Sequence, residues 1–522
     1  MIGHAPKRKS LSPEERVGLL DDPAFTSQSD SESDSTIIDL DQHVSMEKLA
    51  SGILAPVNYA KSIHWRVLVV RLAWFFVPSF LQGRSMREQI RPAKLGPTAY
   101  LDGMRGIAAL FVYFCHFSYQ SFGIASGWGR DGKHHQILRL PFIKLFYAGP
   151  TAVCVFFVIS GYALSYKAIK NIRSQNVKDF STGLSSMAFR RAIRLFLPTT
   201  VSTFMIVCLV RMGAYEANRE FAGDKTYLKA VREPYTHRLP SAYAQWEEWV
   251  TAIFLGFRVF SWEHYSGFRV YDPHLWTIPV EFRSSLYLFL VLLATARLQT
   301  KYRFLTLATV MYVTYRRSRW DFLLFLFGMA IVEWDHIRGA HVPVSVLPLG
   351  EKEAKPARLR LKTIFWNLFS VFALYLMSNP DGGGKTTPGW VYLTSLIPEW
   401  WECDQNRYWQ GFGSVLFVLA VGHSQWWQRV FNSAISQYFG KISYALYLMH
   451  GPVGKLIGFH WQKWAWGITG VEGNWYNIGW VLGACFCIPT VIWTADIFWR
   501  AVDIPSVKFA RWFEGKVIVK AN

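Results

Sequence analysis

Acid is scarce in this chain: 36 Asp and Glu face 56 Lys and Arg, a formal net charge of +20 over 522 residues. So large an excess of base raises nucleic acid as a partner. Its distribution excludes that reading, because Lys and Arg gather in loops and at the ends of apolar runs and build no soluble basic domain. Basic loops of this kind mark the cytoplasmic side of membrane proteins and face anionic lipid. Cysteine is sparse too. Cys115, Cys154, Cys208, Cys485 and Cys487 lie in apolar runs and Cys403 in a loop, none at metal-ligand spacing from His. Small buried residues are expected for nearly all of them, and no metal. The first 50 residues contain no apolar h-region, so no cleavable signal peptide is expected. No internal repeat is visible, which counts against the duplicated halves of many transporters.

What is abundant is apolar and aromatic. Half the chain (51%) is hydrophobic, with 39 Phe, 24 Trp and 24 Tyr. Trp and Tyr in such numbers belong at membrane interfaces. A helix crossing a hydrocarbon core of about 30 Å needs about 20 apolar residues. The expected fold is all-α, a polytopic transmembrane bundle of about ten spans. Residues 1–60 read as a disordered cytoplasmic tail, with an acidic, Ser-rich stretch from Ser27 to Thr36. Residues 61–97 read as an interfacial helix and linker, since His64–Leu81 is apolar but carries Arg66 and Arg71. The transmembrane domain runs from 98 to 500, and 501–522 is a second cytoplasmic tail. The expected spans are Met104–Phe122, Phe146–Tyr166, Leu195–Met212, His274–Ala296, Tyr302–Tyr315, Trp320–Trp334, Thr363–Ser378, Trp409–His423, Ile442–His460 and Trp475–Phe498. Trp249–Phe260 is too short to span and reads as re-entrant or interfacial.

Charge sets the orientation. The loop after the second span carries Lys167, Lys170, Arg173, Lys178, Arg190, Arg191 and Arg194 against Asp179, which places it in the cytoplasm. Both chain ends then fall inside, as does the basic loop His336–Lys362, and Gly213–Glu248 falls outside. Arg316, Arg317 and Arg319 fit badly, because the same count puts them outside.

Ionisable residues within spans are costly and point to function. Arg105 and His116 are eleven residues apart in the first span, on one helix face and about 16 Å apart along its axis, with Asp102 near the same face. His116 suits a general base and Arg105 an anion clamp; a packed His and a snorkelling Arg would look the same. His274 and Glu281, seven residues apart, share a face beside Pro279. Glu281 could pair with Arg283, lock two helices or orient a histidine. Ser443, Tyr447 and His450 form a polar stripe ending at Gly451-Pro452. Ser160-Gly161 favours close helix packing over nucleophilic chemistry, since no nucleophile elbow surrounds Ser160. Arg190, Arg191 and Arg194 open the third span; they suit phosphate groups or a topology signal.

Five segments in order resemble the acyltransferase 3 family, whose members include bacterial O-antigen acetylases and many fungal proteins. They are Leu101-Asp-Gly-Met-Arg-Gly-Ile-Ala-Ala109 followed by His116, then Phe156-Phe-Val-Ile-Ser-Gly-Tyr162 and Arg190-Arg-Ala-Ile-Arg-Leu-Phe-Leu-Pro198. His274-Leu-Trp-Thr-Ile-Pro-Val-Glu-Phe282 and Ile442-Ser-Tyr-Ala-Leu-Tyr-Leu-Met-His450 complete the set. Thr277 stands where the family usually has Ser, and Pro279 is atypical. The resemblance implies transfer of an acyl group, typically acetyl, from acyl-CoA as co-substrate to an acceptor hydroxyl, with no bound cofactor. On that reading His116 is the base, Glu281 orients it or stabilises its imidazolium, and Arg105 assists. Arg190, Arg191 and Arg194 hold CoA phosphates, and Ser443, Tyr447 and His450 line the substrate. The expected partners are the lipid bilayer, acyl-CoA and a hydroxyl-bearing small molecule, lipid or glycan, with a secondary metabolite fitting the fungal character. An endomembrane or the plasma membrane is the expected location. A transporter or flippase of an acyl-bearing or lipid-linked substrate is the competing reading, and a catalytically dead membrane scaffold a third.

Overall fold

Apolar residues at helical spacing become helices and nothing else here: among the described residues there is no strand, and a single isolated bridge joins Ser126 to Gly382. The computed structural model describes residues 65–83, 95–260, 268–340, 356–401 and 404–519. The expected disordered tail, most of the basic loop His336–Lys362 and Cys403 lie outside the described residues, wholly or in part.

The longer helices run in chain order. They are α1 (Trp65–Phe76), α2 (Ala99–Tyr119), α3 (Gly149–Arg173), α4 (Val177–Arg211), α5 (Ala242–Gly256), α6 (Thr277–Thr295) and α7 (Thr300–Arg316). There follow α8 (Trp320–Ile337), α9 (Pro356–Met377), α10 (Asn406–His423), α11 (Ala434–Val453), α12 (Phe459–Thr469), α13 (Gly473–Phe498) and α14 (Ile504–Val517). Each expected span falls on one of these helices except Ile442–His460, which runs from α11 through a π-helical turn into the start of α12. Among the described residues, four segments are long and apolar enough to cross a membrane: Gly149–Arg173, Val177–Arg211, Pro273–Thr295 and Gly473–Val517.

Two glycine contacts set the bundle's geometry. Helices α2 and α11 cross so closely that a Cβ on Gly106 would lie 2.2 Å from the backbone nitrogen of Gly440. Helices α3 and α8 do the same, and a Cβ on Gly161 would lie 2.2 Å from the Phe325 carbonyl oxygen. The Ser160-Gly161 pair thus serves packing, as small residues do between membrane helices. Around these crossings lies a core of Leu101, Val158, Phe325, Met329 and Leu288, all buried.

Three local features differ from the sequence reading or refine it. Helix α1 has 12 residues, about 18 Å of rise, which is too short to cross a bilayer. It is moored to α13: Arg500 donates to the carbonyls of Phe75 (2.7 Å) and Val77 (3.1 Å), and the Ser79 amide donates to Asp496 (2.9 Å). The expected tail after residue 500 is largely the helix α14, which docks on α4 through Arg190–Glu514 (3.2 Å) and stacked Phe189 and Phe513. Two of the three badly placed arginines at the α7–α8 turn, Arg316 and Arg319, are held locally. Arg319 meets Asp321 at 2.5 Å and Arg316 lies over the Trp400 ring, so their position is fixed by partners and not by topology alone.

Candidate active site

The turn before α6 is built by its own sequence. Asp272 caps it, accepting from the backbone amide of His274 (3.0 Å), and Pro273 occupies the first turn, where its missing N–H costs nothing. The same Asp272 carboxylate accepts from Nδ1 of His274 at 2.5 Å. Tyr447 on α11 donates its hydroxyl to the His274 carbonyl and sits 2.6 Å from the Thr277 hydroxyl. His274 is therefore fixed from both ring and backbone. Its Nε2 reaches Oε1 of Glu233 at 2.8 Å.

Two more histidines meet it there. The ring centroids of His116 and His274 are 4.0 Å apart, those of His274 and His450 4.5 Å, and those of His116 and His450 5.2 Å. His274 and His450 are buried, whereas the His116 side chain keeps 27% of its exposure. All three rings line the adjoining cavity of about 40 Å³, together with Tyr113, Glu233, Gly451, Lys455 and Gln462, and His116 is the least buried of them. Gly451 is required at its place: a Cβ there would lie 2.7 Å from Nδ1 of His274 and 2.9 Å from Oδ2 of Asp272.

Glu233 is the hub. It comes from the long loop between α4 and α5, and that loop is pinned to the end of α2 by the Ala230 amide on the Gln120 carbonyl (3.0 Å) and the Val231 amide on the Tyr119 carbonyl (3.1 Å). Its carboxylate receives the Tyr119 hydroxyl and the His274 ring, meets the Lys455 ammonium at 3.2 Å, and lies 3.8 Å from Nδ1 of His116. Burial alone would raise its pKa; His274, Lys455 and His116 together hold it well below the usual carboxylate range. Burial would also raise Asp272, and His274, followed by His450 and Lys455, holds it down. Lys455 enters from a π-helical turn, Gly454–Gly458, that follows Pro452, and such turns re-aim side chains at functional sites.

The sequence-named residues divide between this cluster and elsewhere. His116 and His450 are in it, and Tyr447 supports it. Ser443 returns its hydroxyl to Gly440 of its own helix (2.9 Å). Arg105 ties α2 to α11 by donating to the Gly440 carbonyl (3.0 Å) and pairing with Asp102 (3.3 Å). The pairing of Glu281 with His116 is absent. Seven residues of helical chain, across the turn before α6 and into α6, carry Glu281 about 10 Å beyond His274, where it accepts from Arg191 (2.7 Å) and Ser160 (3.2 Å). Nor does it pair with Arg283, which meets Asp321 at 2.9 Å. Arg191 also donates to Ser285 (3.1 Å), Arg190 turns to Glu514, and Arg194 follows on the same helix. Glu233, Asp272 and Lys455 were missed. Lys455 carried a signal, as a cation inside the expected span Ile442–His460. Asp272 carried the weaker one of a cap residue before Pro. Glu233 had none beyond its place in a long loop.

Residues 98–500 match the model of a family described as an acyltransferase domain, the acyltransferase 3 family. The chain belongs to this family. It is 31% identical over 453 residues to an O-acetyltransferase of Phomopsis amygdali, covering 83% of this chain and 87% of that one. An acyltransferase of Cochliobolus lunatus is 25% identical over 448 residues, 79% of this chain and 94% of the relative. An acyltransferase of a Phoma species is 24% identical over 459 residues, 80% and 96% of the two chains. No solved structure matches the chain. The histidine cluster lies wholly within the matched acyltransferase region.

Proposed function

We propose that this acyltransferase moves an acyl group, acetyl in the first instance, from acyl-CoA to a hydroxyl of a small molecule, with His116 as general base. An alcohol attacks a thioester slowly unless its proton leaves during attack, and a positioned His contributes about 10²–10⁴-fold to such steps. In the proposed step His116 takes the hydroxyl proton as the oxygen bonds to the acyl carbon. The carbon–sulfur bond then breaks, and the CoA thiolate recovers that proton from the His116 imidazolium. Glu233, beside the ring, stabilises the imidazolium while it exists.

The observation that carries this reading is a cluster of three histidines lining one cavity, His116 the least buried of them, in a chain of acyltransferase ancestry. A cavity of about 40 Å³ has room for about two or three waters, or for a hydroxyl and its carbon. Acetyl as the group and oxygen as the acceptor follow the relative named an O-acetyltransferase. A secondary-metabolite hydroxyl is the acceptor we favour over a lipid or a glycan, because the relatives are fungal. Arg191 and Arg194 supply positive charge for the CoA phosphates, which would compete with Glu281 for Arg191. The four apolar segments support residence in a membrane; we place the protein in an endomembrane or the plasma membrane, with about ten spans and both ends facing the cytoplasm.

The test is transfer of label from acetyl-CoA by membranes carrying the wild type or His116→Ala, across a panel of hydroxyl acceptors. Transfer by wild type and its loss in the variant are expected. Undiminished transfer by the variant would remove His116 from the mechanism.

A further inference from the structure

We propose that His116, His274 and His450 also form a binding site for a first-row dication, Zn²⁺ above all, and that filling it switches off acyl transfer by occupying His116. The inhibitory half rests on the role proposed for His116 above; the binding half does not.

Three elements far apart in the chain bring one ligand nitrogen each to within 4.8 Å of one another: α2, the turn before α6, and α11. Two nitrogens of the group, Nδ1 of His116 and Nε2 of His450, are buried without a hydrogen-bond partner. A buried polar atom left without a partner is costly, and two aimed at one cluster mark a place for a shared ligand. His274 is already mounted as a metal-ligating histidine is, with Asp272 holding Nδ1 at 2.5 Å so that Nε2 points inward. Glu233 offers a fourth donor, with Oε1 at 2.8 Å from Nε2 of His274 and 3.8 Å from Nδ1 of His116. A dication would take the place of the proton shared by His274 and Glu233, and that proton would leave to solvent.

Imidazole nitrogen selects zinc, copper and nickel over magnesium and calcium. Zn–N bonds of about 2.0–2.1 Å place ligand nitrogens about 3.4 Å apart, so the rings would close by no more than about 1.4 Å. His116, facing the cavity, has the freedom to make that movement. Once the proton shared by His274 and Glu233 has left, Glu233 and Asp272 bring two negative charges against the single positive charge of Lys455, which favours a cation. A metal on His116 takes the lone pair that base catalysis uses, so metal and reaction exclude each other.

The full-length protein, purified in detergent and stripped with chelator, is given Zn²⁺ and dialysed, and its zinc is measured by mass spectrometry beside its thermal unfolding. About one zinc per chain is expected, with a raised melting point. His116→Ala and His450→Ala should lose it, and Asp272→Asn should weaken binding by about 10–100-fold. Replacing the exposed loop pair His134 and His135 with Ala should change nothing. Zinc should inhibit wild-type transfer, and chelator should restore it. If His450→Ala does not fold, as judged by its melting, His450→Gln replaces it. Equal zinc in wild type and the His450 variant, or loss only in the loop variant, overturns the proposal. Zinc bound at the histidines without any acyl transfer would sink the enzymatic reading and leave the site standing. Transfer untouched by zinc, with none bound, would sink the site and leave the enzymatic reading.

Discussion

The histidine cluster and the Arg191–Glu281 pair are both polar islands in an apolar bundle, carried about 10 Å apart along α6 and the turn before it. They differ in how their bonding is closed. Glu281 receives Arg191 and Ser160, and Arg191 also reaches Ser285, so the charges on facing helices satisfy one another. The histidine cluster leaves nitrogens of His116 and His450 unsatisfied and opens onto a cavity. A closed pair locks helices together, whereas an open one keeps polar atoms that can engage a further group. This difference assigns chemistry to the histidines and cohesion to the pair.

The largest expected effect falls on the open cluster. His116→Ala should lower kcat by about 10²–10⁴-fold, the range for losing a general base. Because its side chain is partly exposed, the melting point should move little. A melting loss that accounts for the whole drop in activity would make His116 a structural residue like those of the pair.

Next comes a contrast between two glutamates. Glu233→Gln should cost about 10²-fold in kcat with KM little changed, the scale of misplacing a reacting group by about 1 Å. Glu233→Asp should recover part of it, because the charge remains. Glu233→Gln and Glu281→Gln should both destabilise by about 3 kcal/mol, because Lys455 and Arg191 each lose a buried or partly buried anion, but Glu281→Gln should leave kcat unchanged at low temperature. Thermal unfolding and steady-state kinetics on both variants decide the matter. If Glu281→Gln loses activity while melting normally, the comparison is wrong.

The unequal legibility of these regions follows from chain distance. Each expected span fell on helical chain because hydrophobic runs are local. His116 and His450 were legible because an ionisable group inside an apolar run is conspicuous. Glu281 was conspicuous for the same reason, but spacing along one helix cannot say which neighbouring helix it faces. It faces α4, where Arg191 waits, and not α2. Glu233 was illegible: it lies in a polar loop whose acids and bases nearly balance, and it becomes singular only when that loop folds back on the end of α2. The meeting of His116, His274 and His450 was equally hidden, since 158 and 176 residues separate the second from the first and third.

The smallest expected effect separates the regions most finely, because it uses the same change, Gly to Ala, in each. At Gly161 the added methyl would lie 2.2 Å from the Phe325 backbone oxygen, so α3 and α8 must move apart. Backbone cannot yield as a side chain can, and a cost near the top of the overpacking range, about 3 kcal/mol, is expected. At Gly451 the methyl would lie 2.7 Å from Nδ1 of His274 and 2.9 Å from Oδ2 of Asp272, so this pair must shift, but both are side chains and not backbone. The stability cost there should be about 1 kcal/mol. Yet any shift of that pair moves the His274 ring that holds Glu233 beside His116, so kcat should fall by about tenfold, roughly 1.4 kcal/mol in the barrier. Gly161→Ala should melt early and work normally at low temperature, and Gly451→Ala should melt nearly normally and work poorly at every temperature. The reverse pattern would place the chemistry at the α3–α8 crossing, next to Ser160 and Glu281, and away from the histidines.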